Sequence, residues 1–552
     1  MSRGSAAVLL VVFGTGVFLA GLELMITAVA LPSILTDLVD AAGTTAWEEL
    51  RKASWIVNGY LLVYILTMPL AGRLADVWGA RRLFIGALAV FIVGSGLAGA
   101  AQDLDQLIAA RLVQAVGGGV LVPVGTAAAA HLYGGDARPR ALGVVGALTF
   151  LGMAAGPFLG AAILGAVHPA DALIGAALGG STLEDVFAPS WRWIFYVNIP
   201  IGLVAMTLAW AAGAGWETPR HRGPVDVGGA ALFGIALATG LLALTLVGAT
   251  EIAGTDLDPG TVSMALGAIA AVATGATVVH ALRRRDPFLD VRLFRSVPFS
   301  AASLVSLLTG YAFATAIIGG AVFVDRVLYG GPDDQRLALG ALAASTAVGA
   351  LVSGFLVRIA GYRIVTLVGI ALSIAGLGAM AGWTPETSVG AAAAGLAAFG
   401  LGFGLSVTPR STAAVEAAGR RAFGAASSVV TVARMIGMAV GLAILTAYGS
   451  TTIDRLSAEV YATPDAYRDY IPEHLRDRPL RDPLVVEALE AWASREAASI
   501  MVGLFLVAAV VTLAAAPPAL ALGDGRRPSR AAGERMLAGD GHVAATEPDI
   551  VL

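Results

Sequence analysis

The sequence has no cysteine, a single lysine and few charged residues. Charged residues make up 13% of the 552 positions and hydrophobic residues 57%, whereas an ordinary soluble domain is about 25% charged. Most of the chain is therefore too apolar to face water. The absence of cysteine excludes a disulfide scaffold, a thiolate metal site and a cysteine nucleophile. The net charge of -4 argues against nucleic acid as a partner.

The shortage of lysine excludes a P-loop ATPase within this chain. Lys52 is the only lysine among 35 basic residues, and it stands between Arg51 and Ala53. A P-loop needs its lysine in the pattern G-x-x-x-x-G-K-[ST], where it reaches the phosphates. The six histidines are scattered and form no metal-binding pattern. We therefore expect no enzyme, no cofactor and no metal site, and any transport would use an ion gradient or another polypeptide.

The sequence does contain many long apolar segments. A membrane-spanning helix needs about 20 mostly apolar residues, and fourteen segments meet this requirement. They are 8–31, 53–72, 82–101, 107–131, 141–166, 192–213, 227–248, 261–282, 297–324, 337–357, 363–383, 388–408, 422–449 and 497–520. This predicts an all-α integral membrane protein with fourteen transmembrane helices.

The arginines predict the orientation of these helices, because basic residues favour cytoplasmic loops. With the N-terminus placed inside, 22 of the 35 basic residues fall in inner loops, eleven in outer loops and two within spans. Arg410 is assigned to an inner loop in this count. Both termini are thus predicted to be cytoplasmic.

Three ionisable residues, Glu23, Arg111 and Arg434, lie deep within predicted spans. Such residues cost about 2.5–3.5 kcal/mol on insertion scales and are functional candidates. Glu23 and Gln114 are expected at nearly the same depth, with Arg111 one turn from Gln114. Two interpretations stay open. Small changes in hydration can switch a carboxyl beside an arginine between its ionised and neutral forms, which suits proton coupling; otherwise the pair statically joins two helices.

Arg434 has no carboxylate at its depth in its own half of the chain. It balances Glu23 across a cavity, meets an anionic group of a substrate, or is satisfied by backbone carbonyls at a helix break. The sequence leaves these alternatives open, and we group Arg434 with the candidate proton-coupling residues.

The loop after the second span reads GRLADVWGARR. Its glycines allow close packing and a tight turn, and Asp76 can cap the turn or pair with an arginine. The spacing resembles the G-x-L-[AS]-D-x-x-G-x-[RK]-[RK] signature of the major facilitator superfamily. The residues expected to form this gating loop are Gly72, Arg73, Asp76, Gly79, Arg81 and Arg82.

Two further motifs support the resemblance. RLVQAVGGG, which starts at Arg111, resembles the span-four motif of that superfamily, and GMAAGPFLGA in span five is similar to its antiporter motif. Gly152, Gly156 and Gly160 form a stripe for close helix contact, and Pro157 is expected to kink the helix.

The first span resembles that of the fourteen-span drug:proton antiporter family. Glu23 stands where that family usually has an aspartate, and Met25 and Ala28 replace its threonine and asparagine, so we expect fewer polar contacts around the carboxylate. The segments SWIVNGYLLVYILTMPLAGR and ASSVVTVARMIGMAVG resemble a subgroup of actinobacterial lipid exporters that work with a periplasmic lipoprotein. Where that subgroup has a span-five glutamate, this chain has Phe150, which puts a mechanism with two membrane carboxylates in doubt.

The long outer loop 450–496 is a further candidate region. Leu484, Leu489, Trp492 and Ala493 recur at helical spacing before the last span. This pattern predicts an amphipathic helix that extends the span outward. The alternative is a helix lying flat among the lipid headgroups.

The resemblance implies two six-helix bundles, 1–213 and 297–522, with two linker helices within 214–296 and a disordered cytoplasmic tail at 523–552. Alternating access would rock one bundle against the other. It implies proton-coupled export of bulky lipophilic molecules across a bacterial inner membrane. Membrane lipid such as triacylglyceride would be the cargo, and a periplasmic lipoprotein a partner beside the lipid bilayer. The alternatives are multidrug:proton antiport without a lipid role and a scaffold that transports nothing.

Overall fold

The computed structural model describes residues 3–38, 55–166, 187–214, 216, 218, 226–247, 257–285, 287–460 and 465–523. Within these ranges the chain is helical. The helices are α1 Arg3–Leu38, α2 Trp55–Trp78, α3 Ala80–Ala100, α4 Leu104–Leu132, α5 Ala137–Ala166, α6 Asn198–Ala212, α7 Val227–Leu246, α8 Pro259–Arg283, α9 Val297–Val322, α10 Pro332–Met380, α11 Val389–Ala418, α12 Phe423–Val460, α13 Pro483–Leu513 and α14 Ala516–Leu520. Shorter helical turns are Ser190–Arg192, Trp193–Tyr196, Val291–Arg295, Phe323–Val327, Arg420–Ala422, Ala466–Tyr470 and Glu473–Leu475.

Thirteen helices in the described ranges are long and apolar enough to cross a membrane. One of them, α10, has 49 residues, or about 74 Å at ~1.5 Å per residue, which is more than twice the hydrocarbon thickness of ~30 Å. Its backbone leaves the helical conformation at Gly361, where φ is 82°. Thus α10 accounts for the tenth and eleventh predicted spans, and the predicted all-α fold with fourteen membrane segments is confirmed.

The helices α1–α6 and α9–α14 form two halves. In the first half α1 packs on α5 and α3 on α4; in the second half α9 packs on α12 and the two parts of α10 on α11. The halves meet where α5 contacts α10 and where α2 contacts α12. The linker helices α7 and α8 pack on each other, and α7 also touches α2 and α12. The exact domain boundaries stay a prediction, and the predicted tail from residue 524 lies outside the described residues.

The turns between the helices lie at two opposite faces of the helix bundle. The motif face carries the turns at 78–80, 132–137 and 418–423, and the opposite face carries those at 100–104, 380–389 and 460–483. The loop motif Gly72–Arg82 lies at the motif face, where α2 ends and α3 begins.

The segment that joins α12 to α13 lies at the opposite face and has its own small core. The helix α13 runs without a break from Pro483 to Leu513, as an outward extension of the last span requires, and the extension itself stays a prediction. Leu489 and Trp492 pack on this core, and the Trp492 ring lies 4.8 Å from that of Tyr470. Leu484 and Ala493 are exposed instead. The buried residues of this core are Val460, Tyr467, Ile471, Leu475 and Val485.

Candidate functional site

Glu23 lies at the centre of a buried polar network in the first half. Its Oε1 accepts hydrogen bonds from the Arg111 guanidinium and, at 3.1 Å, from the Thr27 hydroxyl. Its Oε2 accepts one from the Asn198 amide at 2.8 Å. Arg111 also donates to Gln114 at 2.7 Å, and none of these five side chains is more than 1% exposed. The structure thus brings the predicted Glu23, Arg111 and Gln114 together in one cluster.

The network extends through α3 and α2. The Gln114 amide donates to the Ser95 hydroxyl at 2.7 Å, and Arg111 Nε donates to the Ile56 carbonyl at 3.3 Å. The Arg111 guanidinium also lies 4.0 Å from the centre of the Tyr60 ring. An arginine held by a carboxylate, an amide, a carbonyl and an aromatic face has its charge compensated on several sides.

The expectation of few polar contacts around Glu23 is wrong. Met25 and Ala28 replace the polar residues of the related family, but Thr27 and Asn198 donate to the carboxylate instead. Thr27 follows Glu23 by four residues, so the helical period alone could have revealed it. Asn198 comes from α6, 175 positions away, and no local pattern pointed to it.

Asp76 of the loop motif joins the two halves. Its carboxylate accepts hydrogen bonds from the backbone N–H groups of Gly424 and Ala425, both at 3.0 Å, at the start of α12. It thus caps a helix 348 positions away, where the positive end of the helix dipole favours a carboxylate. Gly72 packs against the Gly424 carbonyl so closely that a Cβ would not fit. The sequence predicted that Asp76 caps its own turn or pairs with an arginine, and the structure shows that it caps a helix of the other half.

Other contacts close the same face. The hydroxyls of Ser428 and Ser427 donate to the carbonyls of Met68 and Pro123, each at 2.9 Å. An Arg138–Glu416 ion pair adds a 3.3 Å contact between the halves. The halves are thus fastened together at the motif face.

The remaining loop-motif residues act within the first half. Gly79 turns the chain with φ at 92°, a conformation that glycine adopts without strain. Arg81 Nε donates to the Ala209 carbonyl at 3.1 Å. Arg82 is exposed, and Arg73 is half-buried with Nε and Nη2 outside any hydrogen bond among the described residues.

The glycines of α5 pack against α1 as the spacing predicted. A Cβ at Gly152 would overlap the Phe18 carbonyl, and one at Gly156 would lie 2.8 Å from the Met25 Cβ. At Gly160 the nearest atom is a side-chain carbon of Ile26 at 3.2 Å. The helix α5 continues through Pro157 to Ala166. Because Glu23 lies on α1, this stripe fixes the helix that carries the carboxylate.

Arg434 lies in the second half, apart from the Glu23 network. Its guanidinium is 5.6 Å from the centre of the Phe150 ring, and its Nε is buried without a hydrogen-bond partner among the described residues. On the network side, Arg111 contacts the Tyr60 ring, which stacks on that of Tyr64 at 5.7 Å.

The predicted position of Arg410 in an inner loop is wrong. The residue lies inside α11, which continues through Pro409 to Ala418, and it is only 1% exposed. Its Nη1 donates to the hydroxyls of Thr309 and, at 3.3 Å, Ser406. The span was predicted to end at Pro409 because proline usually breaks a helix, but packed neighbours can satisfy the freed backbone groups in a membrane protein.

A polar clamp holds the linker helices together at the motif face. The Asp226 carboxylate lies 2.9 Å from His280 Nε2 and accepts hydrogen bonds from the backbone N–H groups of Gly229 and Phe288, both at 3.1 Å. Burial alone would raise the pKa of Asp226, but the hydrogen bonds from His280, Gly229 and Phe288 outweigh it and lower that pKa. The clamp is therefore built on an ionised carboxylate.

Comparisons with known proteins agree with this architecture. The profile of the Major Facilitator Superfamily matches residues 13–442. A triacylglyceride transporter of Mycolicibacterium hassiacum is 31% identical over 479 residues, which cover 85% of this chain and 84% of that protein. Multidrug resistance protein 3 of Bacillus subtilis is 26% identical over 375 residues, 68% of this chain and 66% of that protein.

Solved structures give the same fold. The proton:xylose symporter XylE superposes with a TM-score of 0.56 at 13% identity, covering 94% of this chain and 97% of that one. The human organic anion transporter MFSD10 superposes with a TM-score of 0.54 at 15% identity, covering 93% and 100%. The chain therefore belongs to the Major Facilitator Superfamily and is a multi-pass membrane transporter. Within the described ranges no group of three or more His, Asp or Glu residues is placed to hold a metal ion.

Proposed function

We propose that the chain is a proton-coupled exporter of bulky lipophilic molecules, with membrane lipid such as triacylglyceride as its cargo. The observation that carries the coupling is Glu23, a carboxylate buried within a membrane helix and paired with Arg111. The relatives named as triacylglyceride transporters support the cargo. The motif face is taken as cytoplasmic, in a bacterial inner membrane.

The proton step follows from the charge balance of the network. While Glu23 is ionised, its charge and that of Arg111 cancel in surroundings that exclude water. A proton on Glu23 removes this balance and leaves a buried cation, which costs several kcal/mol. Entry of water or movement of α1 against α4 relieves that cost. Protonation is thereby linked to conformational change, because the proton binds one conformation better than the other.

The conformational change must open the motif face. In the closed arrangement Asp76 holds the start of α12, and Ser427 and Ser428 hold α4 and α2. Opening breaks these contacts and rocks one half against the other, while the close contact of α1 and α5 keeps Glu23 in place within its own half. Cargo taken from the cytoplasmic side then leaves at the opposite face, as alternating access requires.

Two features support a lipophilic cargo. The extension of α12 and α13 at the opposite face carries an apolar core that includes Leu489 and Trp492. Each CH₂ group that a lipid exposes to water costs about 0.8 kcal/mol, so a shielded exit path favours lipid export. The same surface could receive a periplasmic lipoprotein.

The test is transport by the purified chain in vesicles with an imposed proton gradient. We expect the gradient to drive movement of a fluorescent triacylglyceride analogue, and a proton ionophore to stop it. The lipid content of cells with and without the chain provides the second readout. Transport that is indifferent to the gradient would overturn the coupling.

Multidrug:proton antiport without a lipid role is the second candidate, and the similarity to Multidrug resistance protein 3 favours it. In that case the gradient would drive export of lipophilic dyes, while the triacylglyceride analogue would stay in place and cellular lipid would not change.

A further inference from the structure

Two arginines in the second half share one small region near the middle of the membrane. Arg410 lies eight residues before the end of α11 and Arg434 eleven residues after the start of α12, so both are about 12–17 Å from the motif face at ~1.5 Å per residue. Both are tied to the same turn of α9. Arg410 donates to Thr309, and the next residue, Gly310, packs so closely on the backbone of Arg434 that a Cβ would not fit.

Aromatic rings connect the same two guanidinium groups. Arg410 lies 5.1 Å from the centre of the Phe403 ring and Arg434 lies 5.6 Å from that of Phe150. The rings of Phe150 and Phe403 meet edge to face at 5.7 Å.

Among the residues that the structure describes, no anionic group compensates the charges of this pair. Arg410 donates to neutral hydroxyls, those of Thr309 and Ser406, and Arg434 Nε is buried without a partner. Among the described residues, no carboxylate oxygen lies within 4.0 Å of a guanidinium nitrogen of either arginine. Two neighbouring cations in an apolar interior are strongly disfavoured unless an anion joins them.

The position of the pair points to a transported anion. Phe150, which lies against Arg434, belongs to the first half, whereas both arginines belong to the second. Ligands of such transporters bind between the halves near the midplane of the bilayer. Arginine offers a planar set of donors that suits carboxylate and phosphate groups, and the phenylalanine rings beside it suit a hydrocarbon chain.

We propose that Arg410 and Arg434 bind the anionic headgroup, a carboxylate or phosphate, of an amphiphilic substrate whose hydrocarbon chain lies against Phe150 and Phe403. This inference rests on the proposed export function. It extends the proposed cargo from neutral lipids to anionic lipids. The nearby Glu23–Arg111 network is already neutral, so the second half supplies the positive charge that such a headgroup needs.

The test compares oleate with methyl oleate, which has the same chain but no charge. Dissociation constants are measured by calorimetry on the full-length chain in a neutral detergent. We expect oleate to bind at least about tenfold more tightly than its ester, the difference made by roughly one charge-assisted hydrogen bond. Arg434→Gln should remove this preference, and Arg434→Lys, which keeps the charge, should restore part of it.

The control is Arg326→Gln, because Arg326 is 77% exposed and pairs with the adjacent Asp325; the preference for oleate should survive it. Arg410 is fully buried, so Arg410→Gln is informative only if the variant keeps the melting temperature of the parent. Titrations with inorganic phosphate and with chloride show whether Arg434 binds small anions and whether these compete with oleate.

Equal affinities for oleate and methyl oleate, or a preference that survives Arg434→Gln, would overturn the inference. So would a small anion that binds through Arg434 without competing with oleate. The binding measurement needs no proton gradient, so its outcome is separate from that of the transport assay. A gradient-driven export of neutral lipid, combined with equal affinities for acid and ester, would refute the anion site and leave the proposed function standing.

Discussion

The two halves of this transporter carry related loops at the motif face, and each loop holds the other half in a different way. Gly72–Arg81 reads GRLADVWGAR and Gly354–Arg363 reads GFLVRIAGYR. Both turn at a glycine with positive φ, 92° at Gly79 and 82° at Gly361. Gly72 packs on the start of α12 and Gly354 on the start of α5, so the backbone plan is shared.

The side chains at the fifth position of each loop differ. Asp76 is 4% exposed and accepts two hydrogen bonds from the backbone of α12. Its counterpart Arg358 pairs with Asp136 at 3.3 Å, and their side chains are 56% and 75% exposed. Hydrogen bonds to a charged group contribute about 1.5–3 kcal/mol, whereas an exposed ion pair contributes about 0–1 kcal/mol. The two loops share their backbone conformation, but the Asp76 contact between the halves is strong and the Arg358 contact is weak.

The interior shows the same asymmetry. In the first half Glu23 neutralises Arg111, and in the second half Arg410 and Arg434 stay uncompensated by the described residues. The halves have similar helices but different charge, which suggests a division of labour. Under the proposed function, the first half would bind the proton and hold the closed face, and the second half would meet the cargo.

The largest expected effect is that of Glu23→Gln, which removes the proposed proton-binding carboxylate of the first half. Glutamine keeps the shape and the contacts with Thr27 but cannot release a proton. Gradient-driven transport in vesicles should fall to background while the variant still folds. Glu386→Gln, which removes an exposed carboxylate at the opposite face, is the matched control. Undiminished proton-driven export by Glu23→Gln would contradict the coupling role.

The next effect tests the two loops against each other. Asp76→Asn weakens the cap of α12. The ratio of closed to open molecules should therefore fall by about tenfold to hundredfold, because a hydrogen bond to a charged group contributes ~1.5–3 kcal/mol. Arg358→Gln should change it by no more than about fivefold. Distances between spin labels on the two halves report the open fraction. Similar shifts in both variants would show that the loops are equivalent.

A third experiment removes the extension of α12 and α13, which belongs to the second half. Replacing 455–490 with a short polar linker should spare export of small drugs but lower export of lipid, because the lipid chain would cross water without cover. Leu489→Asp and Trp492→Asp should do the same more gently, since both pack on the core of this extension. Leu484→Asp is the matched control because Leu484 is 46% exposed. Unchanged lipid export after the replacement would reduce the segment to a spacer.

The smallest effect concerns the linker between the halves. Asp226→Asn should lower the melting temperature at pH 7, at a cost of about 1–3 kcal/mol for the weakened buried bonds. Because the pKa of Asp226 is lowered in the fold, its stabilisation is present above the ordinary aspartate value of ~3.9 and is lost as the pH falls through the lowered value. The difference between parent and variant, measured by thermal unfolding, should therefore begin to shrink near pH 4 and continue to shrink as the pH falls further. A difference that stays constant from pH 7 down to pH 2 would contradict the clamp.

The sequence by itself determined the membrane segments, the glycine stripe of α5 and the matching depth of Glu23, Arg111 and Gln114. These features depend on apolar length, on helical period and on the depth of a charge within a span, and each can be read from neighbouring positions. It also identified the superfamily, because the loop motif is local.

Only the tertiary structure decided which distant groups meet. Asn198 reaches Glu23 from α6, Asp76 caps α12 rather than its own turn, and Arg410 lies inside α11 although Pro409 suggested that the span had ended. The contacts of Asn198 and Asp76 join positions far apart in the chain. These partners, like the continuation of α11 past Pro409, depend on how whole helices pack. Polar groups in an apolar interior must form hydrogen bonds with whichever groups the packing brings near them. A local sequence pattern does not indicate which groups these are.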